Sequence, residues 1–220
     1  MQKRGKLILF LIILFPSAFW LILETSTINS SKLLYYGPKT LNGKDTVYYS
    51  VGDLKFNTII NNKLESKIFD TINYPLITIC FMQEKYIKDN YRLEGLLDYT
   101  IHKKTELSEL PMILLFPQDS SEKITYNLRD SLKIDVPTIE QSYWKRSSFD
   151  SINIMYFKSK PSHVDYSFIV LLDKKRNIRG YYDGRYAMEV KRLLSEYQHL
   201  RLKEEKKNLI RENEIKNEKK

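Results

Sequence analysis

Hydrophobic and polar positions divide this chain into zones of different period. The first zone opens at Leu7 and closes at Leu23, LILFLIILFPSAFWLIL, seventeen residues without a charge. At about 1.5 Å per residue, a helix of that length reaches roughly 25 Å, the short end of what spans a bilayer. Residues 24–50 are polar, with turn signals at Gly37-Pro38 and Asn42-Gly43. They read as a tether or extended lead-in, with one short strand at Thr46, Val47, Tyr48 and Tyr49. The segment LKFNTI, residues 54–59, alternates at strand period, and Asn61-Asn62 then supplies a hairpin turn.

Three continuous apolar runs follow, each the mark of a strand buried on both faces. They are LITICFM at 76–82, PMILLFP at 111–117 and YSFIVLL at 166–172. Between the first two, Tyr86, Ile87, Leu93, Leu96 and Leu97 fall at loosely helical spacing within 86–99. Asp119 and Glu122 have the D-x-x-E form of a capping box, and Ile124, Leu128 and Leu132 follow at steps of four, which predicts a helix. SINIMYF at 151–157 is expected as a further strand. DKKRN at 173–177 turns the last apolar run back into IRGYY, 178–182, as an antiparallel hairpin closed by Asp183-Gly184. A terminal helix then places Val190, Leu193, Leu194, Tyr197 and Leu200 on one face. Past Leu202 the chain is nearly all Lys, Glu, Arg and Asn, which reads as a solvated helical extension fraying into disorder. The order predicts an α/β fold, a central mixed sheet with flanking helices ending in the ββα unit of thioredoxin-like folds. The expected layout is a basic end at 1–6, an anchor at 7–23, a lead-in at 24–50, a thioredoxin-like domain at 51–202 and a charged tail at 203–220.

Charge sharpens the topology. The 220 residues contain 36 Lys and Arg against 27 Asp and Glu, a net charge of +9. Lys3, Arg4 and Lys6 hold +3 before the apolar run, and residues 201–220 hold another +3. The middle is nearly balanced, so no basic face of the kind that binds duplexes is expected, and no nucleic-acid partner. Positive residues ahead of an apolar run keep that end in the cytoplasm. The expectation is an uncleaved, single-pass anchor in the cytoplasmic membrane, with the bilayer as its partner and a soluble domain on the periplasmic or extracytoplasmic side. Glu24-Thr25-Ser26-Thr27 is a poor cleavage context, which sets a cleaved signal peptide second.

Candidate chemistry is sparse. One cysteine, Cys80, excludes an internal disulfide and a CxxC pair. His102, His163 and His199 are far apart and lack zinc spacing. His199 falls on a charged helix and His102 in a polar loop. His163, beside Ser162 and Asp165, is the one candidate metal ligand among them. Asp119 and Glu122 are explained by capping. No phosphate-cradling or nucleophile-elbow motif occurs. The pairs Tyr35-Tyr36, Tyr48-Tyr49 and Tyr181-Tyr182 are expected to split between packing and surface, since adjacent strand residues face opposite sides.

The segment FIVLLDKKRNIRGYYDG, residues 168–184, with Glu189-Val190 and Leu193-Leu194 after it, resembles the closing strand pair and helix of the Sco/SenC family. Leu34 to Pro38 and Asp45 to Tyr48 also resemble the lead-in of bacterial members. The resemblance implies a membrane-anchored thioredoxin fold and, in the family at large, copper chaperoning for cytochrome oxidase assembly. That chemistry needs two cysteines in C-x-x-x-C form just after the first buried strand and one histidine before the V-L-L-D strand. Those positions fall here near Lys85, Asp89 and Asp165, with His163 two residues earlier. Neither an ammonium nor a carboxylate replaces a thiolate for Cu(I). The leading expectation is therefore a Sco-like domain without copper, redox or enzymatic activity, a binding or assembly factor whose protein partner is unnamed. The first alternative is a residual copper metallochaperone using Cys80, Met82 and His163. The second is a single-cysteine thiol peroxidase-type enzyme.

Overall fold

The fold is described from a computed structural model, which covers residues 14–16, 19, 33–52, 54–60, 63–70, 73–82, 93–103, 105, 109–118, 136, 138–147, 149 and 168–218. The chain forms two units, Met1–Leu33 and Leu34–Lys220. In the first, Leu14, Phe15, Pro16 and Phe19 are helical and exposed. Among the described residues no helix is long and apolar enough to cross a membrane. Most of the run at 7–23 lies outside them.

The second unit opens with β1 (Lys39–Asn42) and β2 (Asp45–Tyr48), paired antiparallel around the Gly43-Lys44 turn. Gly43, the first of the two loop residues, has φ 65°, the left-handed geometry that a glycine-led two-residue hairpin turn requires. β3 (Leu54–Ile60) and β4 (Lys63–Phe69) form a second hairpin, with Ile60 opposite Lys63 across Asn61-Asn62 as the sequence predicts. The central strands are β5 (Ile77–Phe81), β6 (Met112–Gln118), β7 (Ile139–Lys145), β8 (Phe168–Leu172) and β9 (Ile178–Asp183). Helix α1 (Glu94–His102) lies between β5 and β6, and helix α2 (Ala187–Glu218) ends the described residues. Seven strands make one sheet in the order β4-β3-β7-β6-β5-β8-β9. The β5–β6 and β6–β7 pairs are parallel and the others antiparallel. A mixed sheet with helices against it, closed by an antiparallel hairpin and a helix, fits a thioredoxin-like α/β fold.

The apolar runs pack as two layers because side chains alternate across a strand. Ile77, Ile79 and Phe81 of β5 join Ile113, Leu115, Val170, Leu172, Ile178, Phe56, Phe69, Trp144 and Phe149 on one face. Tyr36, Tyr49, Val51, Tyr74 and Tyr181 pack against that cluster. The opposite face takes Cys80, Leu114, Ile169 and Tyr182, which lie side by side in register. It is the α2 face, since Tyr182 Oη donates to Glu196 of α2 at 2.6 Å.

Several expectations change. β7, IEQSYWK, was not predicted as a strand. It sits inside the sheet with Ser142, Tyr143 and Trp144 buried, and Trp144 Nε1 donates to the Lys55 carbonyl at 2.6 Å. Of the loose helix expected at 86–99, residues 86–92 lie outside the described residues, and α1 covers the rest and runs on to His102. That histidine is thus helical rather than in a loop, exposed and 3.5 Å from the Asp98 carboxylate. α2 continues helical to Glu218, well beyond its buried stripe, and is exposed throughout 205–217. The capped helix at Asp119 and Glu122 and the strand at 151–157 fall outside the described residues.

Candidate functional site

Cys80 stands in β5 between β6 and β8, fully buried, with Leu114 and Ile169 as its cross-strand neighbours. A side chain so placed is withdrawn from the water that would stabilise a thiolate. Burial accordingly pushes the Cys80 thiol far above its ordinary range. Thiolate is the nucleophilic and metal-binding form, so this sulfur is chemically quiet at neutral pH.

Met82 follows on the same side, also buried, with its amide donating to the Leu115 carbonyl at 2.8 Å. Its Sδ lies 3.6 Å from Cys80 Sγ, a weak S–H contact between two soft atoms. Of the three predicted weak metal candidates, Cys80 and Met82 thus meet, while His163 lies outside the described residues. Lys85, Asp89 and Asp165 lie outside them as well. Among the described residues no group of three His, Cys, Asp or Glu side chains converges as a metal site. His199 sits half-buried on α2.

Sequence reasoning missed a second constellation, at the β8–β9 turn. Asp173 accepts the backbone N–H of Lys175 at 2.9 Å and of Asn177 at 3.0 Å, an Asx-type turn. Its other oxygen takes Arg179 Nη1 at 3.2 Å. Arg179, itself buried, lies 4.1 Å from the centroid of the Tyr35 ring and donates from Nε to the Leu34 carbonyl at 3.3 Å. Tyr35 stacks on Tyr48 with centroids 4.3 Å apart. Backbone bonds complete the attachment. Tyr36 N–H reaches the Ile178 carbonyl at 2.9 Å, Val51 N–H the Arg176 carbonyl at 3.1 Å, and Ser50 Oγ the Lys175 carbonyl at 2.6 Å. The lead-in from Leu34 to Val51 is therefore a strap fixed to the closing hairpin. The signal available in sequence was the Asp173-x-x-x-Asn177 turn; the strap's landing place had none.

The tyrosine pairs split as their strand positions require. Tyr36, Tyr49 and Tyr181 pack on the large cluster, and burial, with Tyr36 beside it, pushes the Tyr181 hydroxyl up to about 12. Tyr182 is buried on the other face, where burial and then the Glu196 hydrogen bond hold its hydroxyl protonated.

No family profile matches the chain, and no curated protein matches it. Among solved structures it is similar to BsSco, a member of the Sco family of cytochrome c oxidase assembly proteins. The identity is 13%, with a TM-score of 0.49, over 71% of this chain and 96% of that one. A SCO1/SenC family lipoprotein from Bacillus anthracis matches at 10% identity and TM-score 0.49, over 70% and 96%. The thioredoxin domain of a thiol-disulfide oxidoreductase from Bacteroides vulgatus matches at 10% and 0.42, over 66% and 96%.

Proposed function

We propose that this chain is a membrane-tethered, extracytoplasmic domain on a Sco-like scaffold, without copper or redox activity of its own, serving as a binding or assembly factor in the cell envelope. The scaffold reading rests on the residues 168–184 and the helix that follows them, which have the family's closing pattern. The topology reading rests on Lys3, Arg4 and Lys6 standing ahead of the apolar run at 7–23. One observation bears most on the chemistry: the sole cysteine is sealed within β5 instead of following it. Thiol exchange and Cu(I) capture both need an accessible thiolate, and a Sco-type site needs two. A domain stripped of both retains surface, and surface serves binding.

Anaerobic loading of the purified full chain with Cu(I), followed by desalting and metal analysis, tests this. Copper far below one equivalent is expected, and one tightly held copper per chain would overturn the reading.

The 3.6 Å approach of Cys80 and Met82 favours a second reading, a residual copper chaperone with His163 as third ligand. Under it, copper would bind stoichiometrically and would be lost in Cys80→Ala, Met82→Leu and His163→Ala alike.

A further inference from the structure

The β1–β2 hairpin projects from the strap with both strands exposed along nearly their whole length. Isolated two-stranded hairpins are marginal in water, so its persistence depends on the stem. There, the Arg179–Tyr35–Tyr48 column and the packing of Tyr36 and Tyr49 hold it to the domain. The register fixes what each side presents. Lys39 and Tyr48 are opposite each other, and so are Leu41 and Thr46, so these four share one side. Leu41 is 81% exposed, and Lys39 Nζ lies 5.4 Å from the Tyr48 ring centroid. This side thus combines an exposed aliphatic tip, a stacked tyrosine pair and a lysine, with Lys44 in the adjoining turn. Aliphatic, aromatic and basic groups together suit a lipid headgroup boundary, where amphipathic rings settle and cations meet anionic lipid.

Chain length selects that occupant over a soluble one. Only residues 24–33 separate the apolar run from Leu34. Ten residues span at most about 36 Å when fully extended. One leucine and two tyrosines are too little surface to hold a free domain on a bilayer. On a short tether the contact becomes intramolecular, at an effective concentration in the millimolar range, and a weak contact then suffices.

We infer that the Lys39–Leu41–Thr46–Tyr48 side of the β1–β2 hairpin rests on the membrane surface and fixes the domain's orientation there, with preference for anionic headgroups. The inference rests on the anchored reading above. A hairpin so seated turns the strap from a passive linker into an orienting foot, and sets which faces of the sheet remain open to a partner.

The test uses the full chain reconstituted in vesicles of phosphatidylcholine, alone or with phosphatidylserine. Bimane is attached at Thr46→Cys, and nitroxide lipids serve as quenchers. Cys80 is buried, and the unmutated chain is the labelling blank. Glu205→Cys on the exposed part of α2 is the comparison site. Quenching about twofold stronger at position 46 than at 205, increased by phosphatidylserine and lost in Leu41→Asp, is the expected result. Alkaline carbonate extraction run in parallel separates the two readings. Protein that stays with the vesicles but shows no quenching at 46, or quenching indifferent to Leu41→Asp, overturns the foot and leaves the anchor standing. Protein released by carbonate overturns both. Circular dichroism of Leu41→Asp guards against unfolding as the cause of lost quenching.

Discussion

The guanidinium of Arg176 donates from Nη2 to the Phe69 carbonyl at 2.7 Å, joining the β8–β9 turn to the end of β4. Nη1 reaches the Tyr74 carbonyl at 2.9 Å, on the way into β5. The side chain is fully buried, and its backbone sits at φ 60°, the left-handed region that disfavours residues bearing a Cβ. A cation is thus spent on bonding two carbonyls of the β4–β5 connection. Removing it strands those acceptors away from water, at about 1–3 kcal/mol each. Arg176→Ala is expected to lower unfolding stability by about 2–5 kcal/mol, measured by urea titration of the full chain in detergent. Arg176→Gly relieves the left-handed cost of roughly 1–2 kcal/mol, so it should fall between Arg176→Ala and the parent. Equal stability in all three would show that the hydrogen bonds contribute nothing.

Gly95 lets α1 touch the β9–α2 connection. A Cβ there would lie 2.3 Å from Tyr186 C and 2.5 Å from Ala187 N, both backbone atoms. The contact is made by hydrogen bonds from Gly95 N–H to the Arg185 carbonyl at 3.0 Å and from Leu96 N–H to the Gly184 carbonyl at 3.1 Å. These satisfy donors that the first turn of a helix otherwise leaves open. Gly95→Ala is therefore expected to destabilise by about 1–3 kcal/mol, although alanine is the better helix former by roughly 1 kcal/mol. A thermal melt that rises in Gly95→Ala would mean the two segments separate at little cost.

Arg179 should control the strap without controlling the fold. It joins Asp173, the Leu34 carbonyl and the Tyr35 ring, while the sheet beneath has its own apolar core. Arg179→Ala is expected to speed hydrogen exchange at the Tyr36 and Val51 amides, which donate to Ile178 and Arg176, by about tenfold for each 1.4 kcal/mol lost. Amides of β5 and β6 should keep their protection. Uniform acceleration across the sheet would instead make Arg179 part of the global core.

The β5, β6 and β8 strands were legible because each is a continuous apolar run, and burial on both faces leaves no other assignment. β7 was not. Ser142 pairs with Leu115 and Thr58 inside the sheet, yet IEQSYWK has the composition of a surface segment. Its burial comes from neighbours, not from its own hydrophobicity. The turn signalled by Asn42-Gly43 could be read, since Gly43 is the residue type that takes left-handed backbone at low cost. The strap's docking could not, because Arg179 meets Tyr35 from 144 positions away in sequence. Arg176 was hidden for a different reason. In a run of Lys and Arg between strands, solvation is the ordinary fate of every member, and only the tertiary structure shows one turned inward. At the candidate site, the run LITICFM already announced a buried Cys80; its 3.6 Å contact with Met82 follows from two residues on one side of a strand.

Cys80 supplies the sharpest test of the chemistry, through both rate and pH. Burial raises its folded pKa far above the ordinary value of 9.0, so the folded thiol stays protonated where the unfolded one ionises. Below pH 9 both states bind the proton and stability is unaffected by this group. Above it the unfolded chain releases a proton that the folded chain keeps. Stability then falls with rising pH, by up to about 1.4 kcal/mol per unit. Between pH 9 and 10 the parent is expected to lose about 1 kcal/mol more stability than Cys80→Ala, whose remaining slope comes from buried tyrosines such as Tyr181 and Tyr182, in urea titrations of the full chain across the range. Alkylation by iodoacetamide at neutral pH should be slow in the native state and become fast on denaturation, tracking the opening of the β5 region. Rapid native alkylation with no difference in slope between the parent and Cys80→Ala would place an accessible thiolate at Cys80 and revive a thiol enzyme of peroxidase type, in which Cys80→Ala would abolish turnover of peroxide.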